Sequence, residues 1–140
     1  MVYSSGKSVM SIAIAMAVDR GLLAYTDRVA QHWPEFGSNG KADITVADVM
    51  RHESGLNVLK APLAKTAALR PNLKANAVGG LVEASTPAFP DVANPDGTRS
   101  TRGYHYVTRG FILNELLRRV DPKVLLHINS EYFLCVVTRY

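Results

Sequence analysis

Apolar positions fall into two dense blocks separated by a middle third with little pattern. Nine of the eleven residues across 8–18 are apolar, a density that predicts a helix wrapped by protein on most sides. Ser4 or Ser5 suits its N-cap, and Gly21, after Asp19 and Arg20, suits the left-handed position just past its end. The second block predicts a helix over 104–120. There Phe111, Leu113, Leu116, Leu117 and Val120 form an apolar face, with Arg109, Glu115, Arg118 and Arg119 mostly outside it. Pro122 closes that helix.

Shorter elements lie between the blocks. A short helix over 27–33, capped by Thr26 or Asp27, is stopped by Pro34, and the glycines and asparagine of 36–41 make a loop. Thr45 is a natural N-cap with Asp48 three residues on, and Ile44 and Val49 stand where a hydrophobic staple places them; this helix ends at Ser54-Gly55. The stretch 56–102 is rich in Ala, Pro and Gly and is broken by Pro62, Pro71, Pro87, Pro90 and Pro95. It admits short helices at 64–69 and 75–84 and a turn at 94–97, and connections this long usually serve as lids or mobile segments. Residues 132–138 are β-branched and aromatic and suit a strand. No internal repeat is present.

Composition narrows the class without naming a function. A chain of 140 residues, 47% apolar and 20% charged, is one globular domain or a piece of one. The net charge of +4 is dispersed, and no basic run is interleaved with aromatics, so nothing marks a nucleic-acid partner. The apolar run over 9–18 is far shorter than the about 20 residues that span a bilayer, and it lacks the flanks of a secretory signal. Cys135 is the only cysteine, which excludes an internal disulfide or a cysteine-based zinc site and agrees with a reducing compartment such as the cytoplasm.

The candidate chemistry is at the head of the first helix, where Ser4 and Lys7 stand three residues apart. On a helix that spacing puts both on one face, about 4.5 Å apart along the axis. A lysine partly withdrawn from water can accept a proton from the serine hydroxyl and make it a nucleophile. The bland alternative is an N-cap serine followed by a solvated lysine. Gly6-Lys7-Ser8 also imitates the end of a phosphate loop, but the required glycine five residues earlier is absent, since position 1 is Met. His32, His52, His105 and His127 form no metal-ligand spacing and read as capping or solvent-facing groups, His52 favouring the dipole at its helix end. No metal and no cofactor is implied.

Three segments, taken in order, resemble the β-lactamase-related, penicillin-binding-protein-like serine hydrolases. They are the Ser-x-x-Lys helix with its following text through Trp33-Pro34-Glu35-Phe36, the stretch from Ile44-Thr45-Val46 through Arg51-His52-Glu53-Ser54-Gly55-Leu56, and Gly103-Tyr104-His105-Tyr106-Val107-Thr108-Arg109-Gly110-Phe111. The resemblance covers about residues 3–123. It implies a partial domain over 1–123, truncated at both ends, and a divergent tail over 124–140. The fold implied is mostly α as it stands, the helical portion of an α/β (α+β) β-lactamase/transpeptidase-like fold whose core sheet is largely missing. By resemblance Ser4 is the nucleophile, Lys7 draws off its proton, and Tyr104 shuttles that proton to the leaving group. The Ser4 backbone N–H would be half of an oxyanion hole, and the substrate class would be a small ester, amide or lactam.

Two departures accompany the match. Tyr106 stands where many members have asparagine, and no Lys-Thr-Gly-like or His-x-Gly strand follows Tyr104. Without that strand the apolar helix lacks the sheet it packs on, which predicts weak or absent turnover and self-association through exposed apolar surface. The expectation is a fragment, a truncated gene model or a splice form. The reading from another class is a non-catalytic helical interaction module or a pseudoenzyme.

Overall fold

A computed structural model of the 140-residue chain describes residues 3–62, 71, 76–89, 97 and 101–121. The helices whose bounds lie among the described residues are, in order, α1 (Gly6–Asp19), α2 (Val29–His32), α3 (Val46–Met50), α4 (Ala77–Ala84) and α5 (Thr108–Val120). Tyr3–Ser5 and Pro34–Gly37 are 3-10 turns that lead into α1 and follow α2. Among the described residues the only β-pairing is a single antiparallel bridge between Arg28 and Thr45. Val29 N–H donates to the Ile44 carbonyl and Val46 N–H to the Asp27 carbonyl, both at 2.9 Å, which sets the starts of α2 and α3 side by side. The expected helix over 64–69, the turn at 94–97 and the strand at 132–138 lie wholly or mainly outside the described residues, as does the tail.

Local chemistry sets the helix ends. Gly21 takes φ +68°, and its N–H and that of Leu22 donate to Val18 and Ala17, closing α1 with the paired bonds of a left-handed stop. Thr45 Oγ1 accepts from Asp48 N–H at 3.1 Å while Asp48 Oδ2 accepts from Thr45 N–H at 2.9 Å, so both orphan donors of α3 are satisfied. The cap of α2 differs from expectation: it is Arg28, whose N–H donates to Gln31 Oε1 at 2.8 Å. Asp27 is engaged elsewhere, accepting from Ala24 N–H at 2.7 Å and pairing with His32. Two further boundaries move. Helix α3 stops at Met50 rather than at Ser54-Gly55, and α5 begins at Thr108 rather than at Tyr104. The Thr108 hydroxyl donates to the Leu56 carbonyl at 2.5 Å, fixing the α5 start while residues 101–107 stay non-helical.

Helix α5 is the axis of the core and packs against α1, α2, α3 and α4. Phe111, Ile112, Leu113, Leu116 and Leu117 are buried, and Trp33, Phe36, Val46, Val49 and Leu56 close around them. Because α5 is surrounded, Arg109 and Glu115 are buried as well, contrary to their expected place outside the apolar face. Glu115 is paired with Arg118 and Arg119 one turn on. Lys41, expected in a plain loop, is fully buried and donates to the Glu83 carbonyl at 2.9 Å and the Ser85 carbonyl at 2.5 Å, filling the unsatisfied end of α4. Helix α1 is less enclosed than its composition suggests. Its fully buried residues, Ile14 and Ala17, lie in its second half, while Val9, Ile12 and Met16 stay about half exposed. No element among the described residues covers that stripe.

Candidate active site

Ser4 lies in the 3-10 turn immediately before α1, and Lys7 lies in the first turn of α1 itself. Lys7 Nζ donates to Ser4 Oγ at 3.3 Å and to the Tyr106 carbonyl at 2.9 Å. From the far side of the chain Tyr104 Oη donates to Ser4 Oγ at 2.7 Å, so residues 100 positions apart meet on one oxygen. Lys7 Nζ also stands 5.1 Å from the Tyr104 ring centre and 5.8 Å from that of Tyr106. The three residues singled out in the sequence therefore converge. Ser4 is exposed and Tyr104 is 52% exposed, which leaves the group open to a solute.

The Tyr104 phenol is held below its ordinary range, first by its hydrogen bond with Ser4. Burial opposes that shift, and the bond and charge of Lys7 and the charge of Arg109 add to it. A phenolate at 2.7 Å reverses the bond, so that Ser4 Oγ–H donates and its proton has an acceptor in place. The positive end of α1 points at the same serine.

The segment behind Tyr104 is locked by two histidines that the sequence reading left at the surface. His105 is fully buried. Its Nδ1 lies 2.5 Å from the Gly103 carbonyl, which can only accept, so Nδ1 carries the proton. Its Nε2 accepts from Leu56 N–H at 3.2 Å and from the Ser54 hydroxyl at 2.6 Å. One neutral ring thus ties the 54–56 turn to the tyrosine segment. Gly55, between those partners, has φ +69°, and a Cβ there would meet the Phe89 ring and Pro87 at 3.0 Å.

His52 does double work. It sits just past α3 at φ +64°, and the bonds His52 N–H to Val49 and Glu53 N–H to Asp48 make it the left-handed stop of that helix, a place usually held by glycine. Its Nδ1 accepts from His105 N–H at 3.0 Å, and its ring lies against the Tyr104 ring with centres 4.9 Å apart. It is not the cation near a helix end that was expected. Burial, then the charges of Arg109, His105, Lys7 and Arg102, push it down to about 4. His105 is lowered too, mainly by burial.

These shifts fix the sign of an acid response. The folded values lie below the unfolded reference of 6.5, so the unfolded chain binds the protons first. The stabilisation from the neutral pair is complete above pH 6.5 and is lost as pH falls through about 4. The urea midpoint is expected to decline across that interval, and a constant midpoint from pH 7 to 4 would remove the two imidazoles from the account.

From the sequence Arg109 reads only as a charged position of the tyrosine segment, with no role of its own. Its guanidinium reaches Ser11 Oγ at 2.8 Å and the Lys7 carbonyl at 3.3 Å, directly under the Ser-x-x-Lys turn.

The chain is similar to known proteins over most of its length. The family model described as Beta-lactamase matches residues 1–130. The esterase/beta-lactamase LipL of Mycobacterium tuberculosis (strain ATCC 25618 / H37Rv) is 35% identical over 127 residues, covering 88% of this chain and 26% of that protein. A family VIII carboxylesterase of known structure shares 30% identity at a TM-score of 0.70, over 94% of this chain and 32% of its own. A penicillin-binding protein homologue from Caulobacter crescentus shares 32% identity at a TM-score of 0.70, over 92% and 32% respectively. The chain thus spans between a quarter and a third of the length of these relatives.

Proposed function

Since the chain belongs to the beta-lactamase family, we propose that it carries the nucleophilic half of a serine acyl hydrolase, with Ser4, Lys7 and Tyr104 as the reacting groups. The substrate class is a small ester, amide or lactam, in line with relatives described as esterase, carboxylesterase and penicillin-binding protein homologue. The observation that carries the reading is the meeting of Tyr104 Oη, at 2.7 Å, and Lys7 Nζ, at 3.3 Å, on Ser4 Oγ.

In this mechanism Ser4 Oγ attacks the carbonyl carbon and its proton passes to Tyr104, the nearer of the two partners. Lys7 Nζ, anchored on the Tyr106 carbonyl, fixes the oxygen and favours the phenolate. The Ser4 backbone N–H, at the head of α1, faces the developing oxyanion. Collapse of the tetrahedral adduct breaks the bond to the leaving oxygen or nitrogen, which takes the proton from Tyr104, and leaves an acyl-Ser4. Water then attacks the acyl carbon, giving a proton to Tyr104; collapse breaks the bond to Ser4 Oγ, which takes that proton back from Tyr104 as the acid leaves.

A fluorophosphonate or penicillin-type probe is expected to label the chain at Ser4 and to leave Ser4→Ala unlabelled. Equal labelling of the two proteins would overturn the assignment. The alternative, a non-catalytic interaction module or pseudoenzyme, draws on the half-exposed stripe of Val9, Ile12 and Met16, and a folded but unlabelled chain would favour it.

A further inference from the structure

Arg109 stands in the first turn of α5 and is only 4% exposed. Its Nε donates to the Met50 carbonyl at 3.3 Å, one terminal nitrogen to the Lys7 carbonyl at 3.3 Å, and the other to Ser11 Oγ at 2.8 Å and to Met50 Sδ at 3.5 Å. Every one of these acceptors is neutral. Among the described residues no carboxylate forms an ion pair with it. Burying a cation without an anion is costly, because neutral dipoles replace hydration only in part. A carbonyl at the end of α3 supplies some compensation, being at the negative pole of that helix.

The acceptors belong to the elements that carry the site. Lys7 and Ser11 are on α1, directly after Ser4; Met50 closes α3 two residues before His52; and Arg109 follows Tyr104 by five residues. The titratable groups that feel its charge are Tyr104, His52 and His105, with Lys7 on α1 and Arg102 as further cations nearby. Protonation of the histidines only adds positive charge. Tyr104 alone among them becomes negative, so it alone can supply the missing counter-charge.

We propose that Arg109 is the positioning residue of this site, a buried guanidinium that clamps the nucleophile helix to the His52 and Tyr104 segments and whose fixed positive charge acts on the Ser4–Tyr104 pair. Its charge favours the tyrosinate and disfavours imidazolium at both histidines, so the groups around Ser4 are held in the states in which a proton can leave the serine. The meaning of this role rests on the function proposed above, but the role itself is read without turnover.

The test is a pH titration of ring-13C-labelled tyrosine by NMR, with the Tyr104 signal identified by its loss in Tyr104→Phe. Arg109→Met is expected to move the Tyr104 midpoint to higher pH, and Arg109→Lys, which keeps the charge, to bring it back toward that of the unsubstituted chain. A folded Arg109→Met protein with an unmoved Tyr104 midpoint overturns the proposal and leaves Arg109 a packing residue. Should Arg109→Met not fold, Arg109→Gln, which can still donate hydrogen bonds toward the Lys7 and Met50 carbonyls but carries no charge, is read in its place. A Tyr104 midpoint moved to higher pH in that variant upholds the proposal, and an unmoved one overturns it. Failure of Ser4 to take a probe would sink the hydrolase reading and leave this titration untouched.

Discussion

Replacing Tyr104 by phenylalanine is expected to slow probe acylation of Ser4 by ~10²–10⁴-fold while the fold survives, the range for loss of a positioned general base. The substitution deletes one oxygen, the one 2.7 Å from Ser4 Oγ, and keeps the ring against His52. Tyr104 is half exposed, so no buried polar partner is orphaned apart from the serine hydroxyl, which faces water. The rate is read under pseudo-first-order conditions with a fluorophosphonate, beside a thermal melt by circular dichroism. A rate within a factor of two of the unsubstituted chain would take the phenol out of the proton path and leave Lys7 as the only base at hand.

The largest loss of stability is expected from Trp33→Ala. Truncating a buried aromatic removes ~3–5 kcal/mol, against a total of ~5–15 kcal/mol for a domain. Trp33 is fully buried, its ring centre lies 5.4 Å from that of Phe36, and Arg119 lies over its face at 5.3 Å. Its Nε1–H donates to Glu83 Oε1 at 2.8 Å, which joins α2 to α4. The alanine variant therefore opens a cavity between elements and strands a carboxylate at once. Urea denaturation followed by circular dichroism should find it largely unfolded at a concentration where the native chain is folded. Matching midpoints for the two proteins would mean that the cluster around α5 is not the stabilising core.

The parts of the molecule that could be read from the chain are those governed by neighbours in sequence. Gly21 and the Thr45–Asp48 pair close their helices through atoms within a few residues, and the three-residue step from Ser4 to Lys7 is itself local. The fold class and the joining of Tyr104 to that pair came from resemblance, because no periodicity brings together residues 100 apart. What stayed hidden depends on tertiary neighbours. A charged position off an apolar stripe is normally solvated, yet α5 is enclosed on all sides, and Arg109 and Glu115 are buried with it. Lys41 looked like loop text because the carbonyls that hold it belong to α4, more than forty residues on. His52 was misread for a related reason: glycine is the usual left-handed stop, so Gly55 drew the helix end toward itself. His105, directly after Tyr104, was the one available hint in the sequence that this backbone is held by an imidazole.

Seen mechanically, α1 is a beam clamped at one end. Its fully buried residues, Ile14 and Ala17, grip the core, while Ser4 lies beyond its opposite tip, about 15 Å from Ile14 along the axis at 1.5 Å per residue. A tilt of roughly 4° about Ile14 would sweep the serine oxygen by about 1 Å, a misplacement of the size that can cost ~10²-fold in rate. The outer half of the beam is held by lighter stays: the Arg109 bonds to Lys7 and Ser11, the Lys7 bond to the Tyr106 carbonyl, the hydroxyl bond to Tyr104, and the partly buried Met10 and Ala13. A methylene gained or lost around Ile14 is therefore amplified by leverage, and the aim of the nucleophile is set as much by that distant fulcrum as by the groups that touch it.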